Sequence, residues 1–184
     1  MRLRTRTRTR NKFHAAKAIE ATFISKLPMT HDLVHENNRV VDEVMQKLKT
    51  NPDNESFFNA VDFVNTLIIL LYSRDVETFK HCNCEVPDAY AYLEEYLGYE
   101  DITDKVNKAQ DGLIKAIQRQ KKTGSYALDG DTLRLLDEVV EMYKAVIEIM
   151  PIRTLHDTLS LLKSMGDKTT QHFLHYNEKK IVSE

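Results

Sequence analysis

An all-α protein, a single-domain bundle of six or seven helices with an extended basic N-terminal arm, is the fold class that this sequence predicts. Three observations lead there. Five Gly and four Pro in 184 residues are too few for the many tight turns of an all-β chain. From residue 12 onward, apolar residues recur at steps of three and four, the period of a helix buried on one face. No segment outside the first ten residues alternates as a strand does.

Composition narrows the class. The chain is 42% hydrophobic and 29% charged, with a net charge of −2, and its length suits one domain with a real core. Two Cys exclude a disulfide framework. Residues 1–11 contain no apolar stretch and so no secretory signal, which sets the expectation of a cytoplasmic protein. The most apolar run, residues 66–72, is preceded by Asp62 and Asn65. It falls well short of the roughly 20 apolar residues that cross a bilayer.

The elements follow in order. Ala16, Ile19, Phe23 and Leu27 mark a first helix, closed by Pro28. The second is expected over residues 32–49 with Leu33, Val40, Val41, Val44 and Leu48 inward, and Asn51-Pro52 breaks it. Phe57, Val61, Val64, Ile68 and Leu71 form the most apolar face of the chain, the expected centre of the core. Residues 80–87 read as a loop. Pro87-Asp88 then opens a short helix holding Tyr92, Leu93, Tyr96 and Leu97, capped by Gly98. Ile102, Val106, Ala109, Leu113, Ala116 and Ile117 continue to Gly124, and the turn over residues 124–131 offers Asp129 or Asp131 as an N-cap. Leu133, Leu136, Val140, Tyr143, Ile147 and Met150 make a heptad-like seam, read first as core packing and second as a dimer interface. Pro151 stops it, and Ile152, Leu155, Leu159 and Leu162 carry the spacing on to Gly166. The organisation expected is a basic arm over residues 1–11, a helical bundle over 12–166, and a short helix or loose tail over 167–184.

Arg2, Arg4, Arg6, Arg8 and Arg10 give the arm five positive charges and no negative one. Residues 11–184 hold 21 basic against 28 acidic side chains, so a basic arm is attached to an acidic body. An extended chain puts all five guanidinium groups on one side, where they suit phosphates or an acidic protein surface. A solvated terminus, or an arm folded back on the acidic body, accounts for the same residues.

No complete catalytic set stands out. His31 and His35, with Asp32, have the four-residue spacing of a chelating helix, but a polar first turn explains them without a ligand. His31-Asp32 and His156-Asp157 match the doublet of all-helical, metal-dependent HD-type phosphohydrolases, with His14 as the upstream partner and no later Asp marked out. His81, Cys82 and Cys84 supply three soft donors where a closed zinc site needs four. Glu138-x-x-Glu141 is half of the carboxylate pattern of helical nucleotide pyrophosphohydrolases. Ser160-x-x-Lys163 matches a penicillin-binding motif in spacing alone. Tyr90, Tyr92, Tyr96 and Tyr99 cluster, as core-edge caps or as an interface.

The stretch over residues 13–20, F-H-A-A-K-A-I-E, followed by D-L-V-H-E-N-N-R-V-V-D and the Ala127-Leu128-Asp129-Gly130 turn, resembles small proteins encoded by proteobacterial phages and prophages. The resemblance implies a small accessory protein that binds a host or phage component. It brings no activity, cofactor or site residue with it. The expectation is therefore a non-enzymatic binding protein, a homodimer with a protein partner, no cofactor and no membrane role. A nucleic-acid binder using the arm and an HD-type phosphohydrolase are the alternatives.

Overall fold

Residues 26–74 and 85–165 are the part of the chain described by the computed structural model. They form six helices and, among the described residues, no strand. The six are α1 His31–Thr50, α2 Asn54–Leu71, α3 Ala89–Ala91, α4 Ile102–Thr123, α5 Gly130–Ile149 and α6 Ile152–Met165; α3 runs directly into a π-helical turn, Tyr92–Tyr96. The first helix expected from the sequence and the tail after residue 166 lie outside the described residues.

Local chemistry fixes the corners. Asp53 accepts a hydrogen bond from the Ser56 backbone N–H at 2.7 Å while Ser56 Oγ accepts one from the Asp53 N–H at 3.2 Å, a reciprocal capping box. Asp129 caps α5 through the Thr132 N–H at 2.8 Å, which settles the choice between Asp129 and Asp131. Gly124 ends α4 at φ 77°, a conformation that costs a glycine nothing.

Side-chain pairs give the helix directions. Between α4 and α5, Lys105 meets Glu138 at 2.9 Å and Arg119 reaches the Ala127 carbonyl, so the two run antiparallel. Between α1 and α5, the Tyr143 hydroxyl donates to Asn37 Oδ1 at 3.2 Å and Lys49 pairs with Asp137 at 2.7 Å. Between α2 and α4, Gln110 Nε2 donates to Asn65 Oδ1 at 3.4 Å, and the Tyr72 and Thr103 hydroxyls lie 3.5 Å apart. Helices α1, α2, α4 and α5 thus alternate in direction as an antiparallel four-helix bundle. α6 packs on α2.

The core sits on α2, as its apolar face predicts: twelve of its 18 residues are buried, among them Phe57, Val64, Leu67 and Leu70. Each such side chain contributes roughly 1.5–3 kcal/mol on leaving water. The seam on α5 is also core. Leu136, Val140, Tyr143, Ile147 and Met150 are all buried inside the chain, so that stripe is not a free dimer surface. At Gly112 the α4 and α5 backbones approach so closely that a Cβ would run into the Thr132 side chain.

Three inward assignments are corrected. Leu33 and Val40 are 51% and 40% exposed, because α1 turns Val34, Val41, Met45 and Leu48 to the core instead. Leu159 is 51% exposed, and Thr154 and Thr158 take the inner face of α6. The Thr158 hydroxyl donates to the Thr154 carbonyl at 2.8 Å, which lets a polar side chain stay buried.

Candidate functional site

The histidine candidates do not gather into a site. His31 and Asp32 occupy the first turn of α1, both exposed, with Nδ1 and Oδ1 4.0 Å apart. His35 lies one turn on, at the edge of a shallow depression of about 300 Å³ shared with Arg39 and Asp42. Among the described residues, no three His, Cys, Asp or Glu side chains converge to hold a metal ion. His156 and Asp157 are neighbours on α6, with Nδ1 3.4 Å from Oδ1. His14, His81, Cys82 and Cys84, and the five arm arginines, lie outside the described residues.

The Glu138-Glu141 pair is spent on cations. Glu138 takes Lys105, and Glu141 takes Lys144 at 2.8 Å. Lys144 is largely buried and also meets Asp42 of α1 at 2.5 Å. Burial works to lower its pKa, but the hydrogen bonds to Asp42 and Glu141 outweigh that and raise it. The ammonium group therefore stays charged between its two carboxylates. Beside it, a cleft of about 360 Å³ is lined by Asp42, Met45, Gln46, Lys49, Asp137 and Glu141. Its cations and carboxylates bridge α1 to α5 and leave no unpaired charge for a ligand there.

A different surface stands out at the other side of the fold. Asp88 starts α3 by accepting from the Ala91 N–H at 3.0 Å, and Arg74 steadies it at 3.2 Å. The helix then widens, with the Leu97 N–H bonding the Tyr92 carbonyl at 3.3 Å. π-Turns of this kind recur at functional sites. Leu93 anchors the turn in the core, while Tyr92 and Tyr96 stack on its outside with ring centres 6.1 Å apart. Tyr96 is 78% exposed, more than any other large hydrophobic residue among those described, and Leu97 lies exposed beside it. The chain then passes Gly98 at φ 68° and Asp101 at φ 53° before α4 begins. Asp101 holds a left-handed conformation that side chains adopt at a cost, and its carboxylate makes no cap.

Charge is concentrated on the same segment. Residues 85–104 carry seven carboxylates, Glu85, Asp88, Glu94, Glu95, Glu100, Asp101 and Asp104, and no Lys, Arg or His. Outside this segment and the arm, 21 acidic and 21 basic side chains balance. The net acidity of the body therefore equals that of one segment of the chain. The neighbouring cations are occupied: Arg74 holds Asp88, Lys105 holds Glu138, and Lys108 holds Asp104 at 2.6 Å. Among the described residues, no ion pair engages Glu94, Glu95, Glu100 or Asp101. Glu94, Gly98, Tyr99, Glu100 and Asp101 surround a depression of about 450 Å³.

Exposed rings beside free carboxylates suit guanidinium groups, which stack on the one and pair with the other. The sequence reading picked out the tyrosines and missed the carboxylates. A charge count over a 20-residue window, rather than over the whole body, is the signal that finds them.

No family model, curated protein or solved structure matches the chain. Among the described residues, no helix is long and apolar enough to cross a membrane.

Proposed function

We propose that this protein is a non-enzymatic accessory or regulatory binding protein of the phage-encoded kind, and that residues 92–101 form the face that takes its partner. The observation that carries this reading is the coincidence of unpaired carboxylates with the most exposed tyrosine among the described residues on one strained turn. The partner is a basic protein segment, held by ring stacking and ion pairing. The heptad seam is used up in the core, so a homodimer would need another surface.

The test is capture on immobilised full-length protein from nuclease-treated cell lysate, wild type beside the triple variant Glu94→Gln, Glu95→Gln, Tyr96→Ala. A protein retained by the wild type and lost by the variant supports the face. An identical retained set overturns it. The five arm arginines favour a second reading, binding to nucleic acid. Five phosphate contacts would give a log–log salt slope of about −4, and recovery that vanishes with nuclease would select that reading.

A further inference from the structure

Two segments of this chain carry opposite charge, and in the second Glu94, Glu95, Glu100 and Asp101 stand outside the ion pairs that hold Asp88 and Asp104. The arm has five arginines and no carboxylate, residues 85–104 have seven carboxylates and no cation, and everything else is neutral. Their chemistry matches as well as their sign. Guanidinium groups on alternate residues of an extended chain all face one way, and the facing surface offers stacked Tyr92 and Tyr96 rings beside Glu94, Glu95, Glu100 and Asp101. Geometry allows the two to meet within one molecule. The Leu27 carbonyl accepts from the Ile152 N–H at 3.0 Å, which pins the start of the described chain to the corner between α5 and α6. The antiparallel pairings put that corner, the start of α1 and the Tyr92–Asp101 turn at the same end of the bundle. Residues 11–25 separate the arm from this point. They reach roughly 50 Å if extended and about 22 Å if helical.

Resting on the binding-face reading above, we infer that the arginine arm, residues 2–10, docks in cis on the Tyr92–Asp101 face and covers it until a basic partner displaces it. A short tether holds the arm at an effective concentration of about millimolar, so weak individual pairs suffice to keep the face covered. A partner must outcompete the arm, which selects against casual basic ligands.

The experiment uses the full chain with p-benzoylphenylalanine in place of Leu97, leaving both tyrosines intact. Irradiation of dilute protein is followed by digestion at carboxylates and mass mapping. The expected product has the mass of one chain, is cross-linked to residues 1–11, and forms in a yield independent of protein concentration. Its yield falls by about tenfold or more when Arg2, Arg4, Arg6, Arg8 and Arg10 are all replaced by Gln, since five exposed ion pairs are lost together. Cross-links confined to the helical body, products of two-chain mass, or a yield unchanged by the Gln replacements would each overturn the inference. Partner capture separates the two ideas. If the arm covers the face, the five-Gln chain retains more partner than wild type. If only the arm inference fails, the two retain equal amounts and the triple face variant still loses the partner. If the face reading itself fails, that triple variant captures normally, whatever the cross-link shows.

Discussion

The two ends of the bundle are built differently. At one end, the α1–α2 and α4–α5 corners are closed by side-chain caps at Asp53 and Asp129 and by Gly124 in its preferred left-handed form. Tyr126 stacks on the buried Phe57 ring there, centre to centre at 4.4 Å. At the other end, Thr30 and Asp101 begin their helices without a side-chain cap, an aspartate rather than a glycine sits at positive φ, and a π-turn holds tyrosine in water. The first end satisfies its backbone and buries the Phe57 ring beneath Tyr126. The second leaves charge, aromatic surface and backbone strain in the open, as the proposed binding face requires.

The largest effect expected contrasts one aromatic from each end. Phe57→Ala costs about 3–5 kcal/mol, because it empties a fully buried site. Tyr96→Ala changes stability by no more than about 0.5 kcal/mol. Urea unfolding measures both, and a costly Tyr96→Ala would make the open end structural after all. A smaller contrast concerns the left-handed residues. Gly124→Ala lowers stability by about 1 kcal/mol, all of it backbone strain, since a Cβ there meets nothing within 4 Å. Asp101→Gly raises stability by about 0.5 kcal/mol, the relief of strain being partly offset by glycine's entropy. Equal signs at the two positions would break the comparison.

The smallest effect is the pH dependence of the closed end. Hydrogen bonds from Ser56 hold the Asp53 carboxyl below its usual range, and those from Thr132 do the same for Asp129. A depressed folded pKa gives stability that is present above the unfolded value of about 3.9 and lost as pH falls through the folded one. Unfolding midpoints should therefore drop as the solution is acidified below about pH 4. The drop should be shallower with Asp53→Asn and Asp129→Asn combined, since asparagine caps without titrating.

Much of this fold was legible in the residues. Pro52, Gly124, Asp129 and Pro151 punctuate the chain where the helices start and stop, and the apolar face of α2 marks the core. Adjacent apolar pairs were ambiguous. Leu33-Val34 and Val40-Val41 are neighbours about 100° apart around the helix, so either member of a pair can border the apolar face, and only packing decides which goes inside. An apolar period does not mark Thr154 and Thr158, which take the inner face of α6 all the same, Thr158 with its hydroxyl bonded to the carbonyl one turn back. The π-turn has no sequence mark, since its bond pattern differs from an α-helix by a single residue. The carboxylates of the candidate face were plain in the sequence but diluted by counting charge over the whole body.

The place of α5 has a consequence for how the protein is made. It is the neighbour of α1, α2 and α4, yet it is the fifth of the described helices to leave the ribosome. Until residue 149 emerges, the nascent chain holds three helices whose apolar faces have lost their common partner, and α2, the most apolar, is among the first delivered. Closure of the bundle, and after it the bond between Leu27 and Ile152, must wait for nearly the whole described chain. Synthesis of this small protein therefore passes through an interval of exposed core that a chaperone is suited to cover.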